Sequence, residues 1–222
     1  MKKVPYFNLK VSVDPKVVGH SSQINGAKNI KKQDIDGFDS FVREDKFPER
    51  IPCSDSFMLH PRAKLTDMMS NKYIDIPEGF VVNARFYNLL RTFNLSNVRF
   101  YDIKILAKRD IGDFKLLYII SSPEVIDFTR SVFQEADIME KPVGINCTFN
   151  TFDEFLQKYD EIYEKRSNWV IPKTIALHKT PDMFRLPKGN YIFISELLKS
   201  AIIESAITGV KITETQTEFM VR

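Results

Sequence analysis

The stretch FVVNARFYNLLRTFNLSNVRFYDIKIL (residues 80–106) decides how the chain is to be read. FVV at 80–82 is a short apolar run, and Asn83 after it has a side-chain acceptor suited to the first free N–H groups of a helix. Phe86, Leu89, Leu90 and Phe93 then recur at the three- and four-residue spacing of one helical stripe. Asn97 tolerates the left-handed conformation that ends many helices, and VRFYDIKIL (98–106) alternates with period two. The unit reads as strand, helix, strand.

The same grammar returns in IFISELLKSAIIESAITGVKI (192–212), at a gapless offset of 112 from position 80 to position 192. Here Ser195 is the cap, Leu198, Ala201, Ile202 and Ser205 form the stripe, Gly209 is the left-handed residue after the helix, and VKI (210–212) is the second strand. Between 80–100 and its image only Val98 and Val210 are identical, so duplication and shared patterning both stay open. Each unit predicts a crossover long enough to pair its two strands in parallel.

Outward from these units, Tyr6–Val13 alternates as a strand that Asp14-Pro15 ends, and residues 14–61 read as irregular, with short elements wrapped over a sheet. Asp113–Ile120 is a strand. Ser122-Pro123-Glu124 opens a helix of about four turns through Val125, Phe128, Val132 and Ala136. Ile145–Phe149 is a short strand, and Thr151 with Glu154 is a capping box before a helix at 152–165 whose Phe152, Phe155, Leu156, Tyr159, Ile162 and Tyr163 share a face. Trp169–Leu177 is a strand that Pro172 assigns to a sheet edge or a strand start, and Thr217–Val221 adds a last strand. The reading is an α+β fold, a mixed sheet with amphipathic helices packed on it, in a single domain spanning 1–222.

Composition narrows the function. The 222 residues include 18 Phe, 8 Tyr and 1 Trp but only 8 Gly, the profile of a packed globular chain. A balance of 32 Lys and Arg against 29 Asp and Glu gives +3, which predicts neither a nucleic-acid footprint nor a membrane-surface patch. The glycines stand too far apart for GxGxxG, GxSxG or a phosphate loop, and HExxH and CxxC do not occur. No run of 18 apolar residues appears, and two cysteines, Cys53 and Cys147, are too few for a disulfide scaffold, so cytoplasmic residence is expected. No cofactor and no metal are expected.

Two blocks carry a family resemblance. KLTDMMSNKYIDIPEGFVVNARFYNLLRTFNLSNVRFYDIKI (64–105) places Leu-Thr-Asp, a spacer, then a strand, cap, helix and strand. KTPDMFRLP (179–187), with Asp-x-Phe-Arg, precedes a strand, Ser195, an amphipathic helix and Gly-Val. Together they resemble the immunity proteins of bacterial polymorphic toxin systems, in a branch long filed as a domain of unknown function. The resemblance covers about 64–222, and residues 1–60 add little to it. Asn83 stands where a Ser is usual. The resemblance implies an α+β protein that binds and blocks a cognate toxin domain inside the producing cell, with no catalytic residues of its own.

Candidate contact residues are the acids on the helix face opposite the apolar stripe: Asp153, Glu154, Asp160, Glu161 and Glu164, beside Lys158 and Lys165. Against a basic nuclease such a face would imitate phosphates and raise the association rate, while its simplest role is a solvated surface laced by Glu161 and Lys165. Lys28, Lys31 and Lys32 form a basic cluster without the interleaved aromatics of a single-strand platform. Asp182, Phe184 and Arg185 suggest a local ion pair around a core plug, and Cys53 with His60, or Cys147 with His178, are the thiol–imidazole pairs that chemistry would require to meet. Rival functions are a hydrolase or transferase whose site assembles only in the fold, and a structural subunit of a phage or secretion apparatus. Oligomeric state is not legible.

Overall fold

The computed structural model describes residues 1–27, 46–47, 56–70, 79–106, 110–189 and 191–221. In chain order its elements are β1 (Lys2–Val4), β2 (Tyr6–Val11), α1 (Pro15–Val18), β3 (Ile24–Ala27), β4 (Ser56–Leu59), β5 (Met68–Met69), β6 (Gly79–Val82), α2 (Ala84–Leu90), β7 (Val98–Leu106), β8 (Asp110–Ile119), a 3-10 turn (Pro123–Val125), β9 (Ile126–Ala136), β10 (Pro142–Cys147), α3 (Phe152–Arg166), β11 (Trp169–Leu177), β12 (Met183–Arg185), β13 (Ile192–Ser195), α4 (Glu196–Glu204), β14 (Val210–Glu214) and β15 (Glu218–Val221). They build three sheets, ordered β1-β15-β11-β9-β10, β12-β13-β2-β14 and β3-β4-β7-β8-β6-β5. The first and third are mixed, through the parallel pairs β11–β15 and β4–β7. The fold is α+β.

The second sheet is the middle layer. Tyr6 and Phe193 turn one face of it toward the first sheet and α3, while Phe7, Leu9, Ile192 and Ile194 turn the other toward α2, α4 and the third sheet. β2 is therefore apolar on both faces, and its Tyr-Phe-Asn-Leu run is fully buried.

Both sequence units form, and both differ from expectation in the same way. β6 and β7 run parallel but do not touch, because β8 lies between them, antiparallel to each. β13 and β14 are separated in the same manner by β2. An additional antiparallel strand flanks each unit, β5 on β6 and β12 on β13. The inserted strand of the first unit follows it in the chain, whereas that of the second comes from the N-terminal segment. That placement makes the N-terminal segment integral to the middle sheet.

The helix caps tie the units together. Asn83 accepts the Phe86 N–H at 3.0 Å, and donates its own N–H and amide to the carbonyl and carboxylate of Asp67 at 3.0 and 2.8 Å. Ser195 repeats this around Asp182: its hydroxyl accepts from Leu198 N–H at 3.2 Å and donates to Asp182 Oδ1 at 2.7 Å, and its N–H donates to the Asp182 carbonyl at 2.9 Å. Each aspartate then reaches the other unit. Asp67 Oδ2 accepts the N–H and hydroxyl of Thr208, both at 2.7 Å, in the loop entering β14. Asp182 Oδ2 accepts the N–H of Asn94 at 3.0 Å, in the loop entering β7. Between them Phe86, Leu90, Leu198 and Ile202 pack in one core.

Several expectations are corrected. α2 ends at Leu90 with right-handed Arg91, so left-handed Asn97 (φ 51°) does not terminate it. Asn97 starts β7 instead, and its amide donates to the Ser121 carbonyl at 2.8 Å. α4 closes on Ala206 (φ 46°), with Ala206 N–H on Ile203 O at 2.9 Å and Ile207 N–H on Ile202 O at 3.1 Å, a Schellman closure. Gly209 (φ 80°) serves close packing rather than that closure, since a Cβ there would lie 2.0 Å from the Met68 carbonyl oxygen and 2.5 Å from Thr66 Oγ1.

The helix expected from Pro123 is only the 3-10 turn, and β9 takes its place. The spacing of Val125, Phe128, Val132 and Ala136 imitates a helix, but the β-branched and aromatic content of Ile126–Phe133 favours the strand that neighbours on both sides complete. β11 is not an edge either: it lies between β15 and β9, and Pro172 is accommodated where the register with β9 shifts.

Gly209→Val should cost more than about 3 kcal/mol in a denaturant melt, because strain and a backbone collision add, while Ala206→Gly should gain about 0.5–1 kcal/mol by relieving left-handed alanine. Asp67 supplies a second test. Burial raises its carboxyl, but the Thr208 and Asn83 hydrogen bonds and the Arg85 charge outweigh that and hold it below the usual carboxylate range. Its stabilisation is complete above the unfolded value of about 3.9 and disappears as pH falls through the lower folded value. Asp67→Asn should lower stability at pH 7 by about 1–3 kcal/mol and flatten the loss of stability below about pH 4.

Candidate functional site

The helix that carries the candidate acids is fixed at both ends by its own sequence. Thr151 accepts the Glu154 N–H at 3.1 Å, and Glu154 Oε2 accepts the N–H and amide of Asn150 at 2.7 and 3.0 Å. The box therefore closes one residue further out than the usual reciprocal pair. Ser167 (φ 53°) closes the far end through its N–H on the Tyr163 carbonyl. Phe155 and Tyr159 are buried among Phe128, Phe133, Phe149 and Trp169, and this aromatic core sets the helix's rotation.

That rotation leaves the five acids in different states. Glu154 is occupied by the cap. Glu161 is held by Lys158 at 2.7 Å and Lys165 at 2.6 Å, and their hydrogen bonds and charges bring its carboxyl down to about 2. Asp160 pairs with Lys188 at 3.1 Å. Among the described residues, Asp153 and Glu164 make no ion pair, so they are the acids of this face whose charge is free for another molecule. Lys28, Lys31, Lys32 and Cys53 lie outside the described residues.

The first sheet also exposes, beside α3, a hairpin that the residue patterns leave unmarked. β9 runs to Ala136, the chain turns through Asp137–Lys141, and β10 returns as the edge of the first sheet. Ile138, Met139, Val143 and Ile145 are all exposed there. Their signal in the sequence is an apolar pair inside the polar turn DIMEK (137–141), obscured once 125–136 is taken for a helix. The base of the turn meets α3 where Ala136 pairs with Trp169, on whose ring Tyr163 packs edge-on at 5.5 Å while staying half exposed.

Of the two thiol–imidazole pairs that nucleophilic chemistry would require, both members are described for Cys147 and His178. Cys147 lies opposite Phe133 and His178 follows Leu177, which lies opposite Ile126. Seven residues of β9 separate these positions, about 20 Å at ~3.3 Å per residue. Cys147 is half buried, and burial followed by the Glu135 charge pushes its thiol up, the opposite of activation. His60 stacks on His20 with ring centroids 3.7 Å apart. Asp182 spends its oxygens on Ser195 and Asn94 rather than on the expected local partner, while Phe184 is the core plug.

One cleft places a histidine beside an aspartate. Asp127, Arg130, His178 and Lys179 line a cavity of about 250 Å³. A hydrogen bond from the Thr129 hydroxyl at 2.6 Å, opposed by burial and helped by His178 and Arg130, holds the Asp127 carboxyl below its usual range. His178 Nδ1 stands 4.0 Å from Asp127 Oδ2, an electrostatic contact rather than the hydrogen bond that orients a general base. The adjoining Ser131 hydroxyl is committed to the Asp127 carbonyl at 2.7 Å and to Ala176 N–H at 3.0 Å. Among the described residues no cluster of His, Cys, Asp and Glu is arranged to hold a metal, and no helix is long and apolar enough to cross a membrane. No protein-family model and no curated protein matches the chain.

The pairing pattern of α3 separates two kinds of charge reversal. Asp153→Lys with Glu164→Lys should leave the thermal melt within about 0.5 kcal/mol of the parent. Glu161→Lys should lower the melting temperature, since three ammonium groups would then line one face of two successive helical turns.

Proposed function

We propose that this chain is an immunity protein: it binds a cognate polymorphic toxin domain in the cytoplasm of the producing bacterium and blocks it stoichiometrically. The observation that carries the reading is the concentration of exposed large apolar side chains on one hairpin, Ile138, Met139, Val143 and Ile145, beside a helix whose Asp153 and Glu164 make no ion pair among the described residues. Apolar surface left in water adds nothing to the chain's own stability, and gathered on one element it fits a surface that a partner covers. The resemblance of residues 64–222 to polymorphic-toxin immunity proteins supplies the partner class.

Against a toxin that acts on nucleic acid and is therefore basic, Asp153 and Glu164 would steer association, and the apolar hairpin would supply the desolvated centre. The chain in this reading needs no cofactor, and binds neither nucleic acid nor membrane.

Purified protein should form a one-to-one complex with the C-terminal toxin domain encoded beside it, stable to gel filtration, and co-expression should rescue cells from that domain. Protection should rise in proportion to the amount of protein made, because a binder is consumed molecule for molecule. Full protection from trace expression would point to turnover, and would overturn the inhibitor reading.

A further inference from the structure

We infer that two adjoining clefts between the first and middle sheets form one binding site for an uncharged amide that carries an apolar group, the chemistry of a peptide unit. This goes beyond the binding function proposed above and does not depend on it.

Among the described residues, three buried side-chain polar atoms have no hydrogen-bond partner: Asn8 Oδ1, Trp169 Nε1 and Ser122 Oγ. Asn8 lines the larger cleft, of about 460 Å³, and Trp169 the smaller, of about 180 Å³. The two clefts share Glu140, Ile171, Pro172 and Tyr191 as walls. The larger falls within the usual size of a ligand pocket.

Strand pairing places Asn8. It lies opposite Phe193 on one side and Thr213 on the other, and so belongs to the face of the middle sheet that Tyr6 and Phe193 turn toward the first sheet. The residue is only 7% exposed. Its Nδ2 donates to the Glu214 carbonyl at 3.2 Å, which fixes the remaining end of the side-chain amide as the acceptor. A buried acceptor of this kind is unfavourable until a donor meets it.

Trp169 has the opposite requirement, since an indole N–H can only donate. Its ring packs against Tyr159 and Tyr163 of α3, with centroids 6.4 and 5.5 Å away. Phe133, Phe155 and Leu186, all buried, give the smaller cleft its apolar wall.

These walls select the ligand. It must offer an N–H or O–H to Asn8, a lone pair to Trp169 and an apolar group to the smaller cleft. Neither sign of charge prevails: Lys10 and Lys141 stand against Glu140 and Glu214 in the larger cleft, and Lys188 of the smaller is paired with Asp160. Hydrogen bonding rather than net charge therefore does the selecting, and a polyol would leave the apolar cleft unfilled. A secondary amide carries a carbonyl acceptor and an N–H donor in one uncharged group. With an aliphatic side chain attached it meets all three demands.

Trp169 is the single tryptophan of the chain, so its indole N–H gives one resonance to follow in the full-length protein. N-acetyl-leucinamide should shift it saturably, with a dissociation constant on the order of 1 mM for a ligand of this size. Asn8→Ala, read on the same resonance, should weaken binding about 10-fold. Trp169→Phe keeps a packed ring and loses the donor, and should also weaken binding about 10-fold, measured by saturation transfer to the ligand. His178→Ala, in the separate cleft at Asp127, should bind like the parent. The tripeptide amide acetyl-Ala-Leu-Ala-amide distinguishes two sources of the same chemistry. Tighter binding than the single unit assigns the site to a segment of a protein chain, and equal binding assigns it to a free acylated amino acid. An indole resonance that neither amide moves would mean that water alone serves these atoms and would overturn the inference. Binding of both variants with the parent's affinity would overturn it too.

Discussion

Two carboxylates, Asp67 buried and Asp182 partly buried, hold this architecture together. Asp67 and Asp182 each secure the N-cap residue of the helix that follows, and with the remaining oxygen each grips the loop entering the last strand of the other unit. The arrangement is reciprocal in kind though not atom for atom, the relation that a twofold axis imposes on a self-complementary interface. A carboxylate is suited to the role because it offers four lone-pair directions and no donor, so one side chain can satisfy a cap and a loop amide together. The neighbouring glycine completes the joint. Gly209 lets the chain pass within contact of Met68 and Thr66, directly beside the Asp67 clamp.

With the units joined, the middle sheet follows. The first unit receives its inserted strand from the chain that leaves it, β8 after β7, whereas the second must wait for a strand from elsewhere, and β2 supplies it. The two ends of the described chain are correspondingly adjacent, Lys2 opposite Val221. Because β2 faces one core with Tyr6 and another with Phe7 and Leu9, the N-terminal segment couples the aromatic core under α3 to the interface between the units. The hairpin β9–β10 and α3 hang on this frame through Phe133, Phe149 and Phe155, whose rings lie 5.1 to 5.4 Å apart. The projecting turn is held at its base by packing and at its tip by hydrogen bonds.

The contrast between α3 and the hairpin is instructive for function. Most of the acids of α3 are engaged by lysines or by the cap, which is how a solvated helix face looks, and only Asp153 and Glu164 retain a free charge among the described residues. The hairpin shows the reverse: ordered backbone, left-handed Glu140, and exposed apolar side chains. In interfaces, charges at the rim mainly set encounter rates and desolvated apolar anchors set lifetimes. In the proposed complex the two elements would divide those tasks.

What the sequence determined by itself was local. The caps Asn83, Ser195 and Thr151, the stripes Phe86–Leu90 and Leu198–Ile202, and the strands around 98–106, 113–120 and 210–212 follow from hydrogen bonds and periodicities that act within a few residues, so they were legible without the fold. The acids of α3 were legible as a face for the same reason. What tertiary structure alone decided was everything that depends on a neighbour distant in the chain. β9 is a strand because two strands flank it, and Pro172 sits inside a sheet because a register shift accepts it. β8 and β2 separate strands that the crossover pattern alone would pair, and lysines nearby in the fold or on the helix decide which acids remain free. The sequence marks Asp182 only for a local pair with Arg185 and Asp67 only as part of Leu-Thr-Asp, and their clamping role arises when Thr208 and Asn94 arrive from the opposite unit. Local signals report the free energy of a segment with itself, and burial, pairing and charge neutralisation are properties of segments brought together.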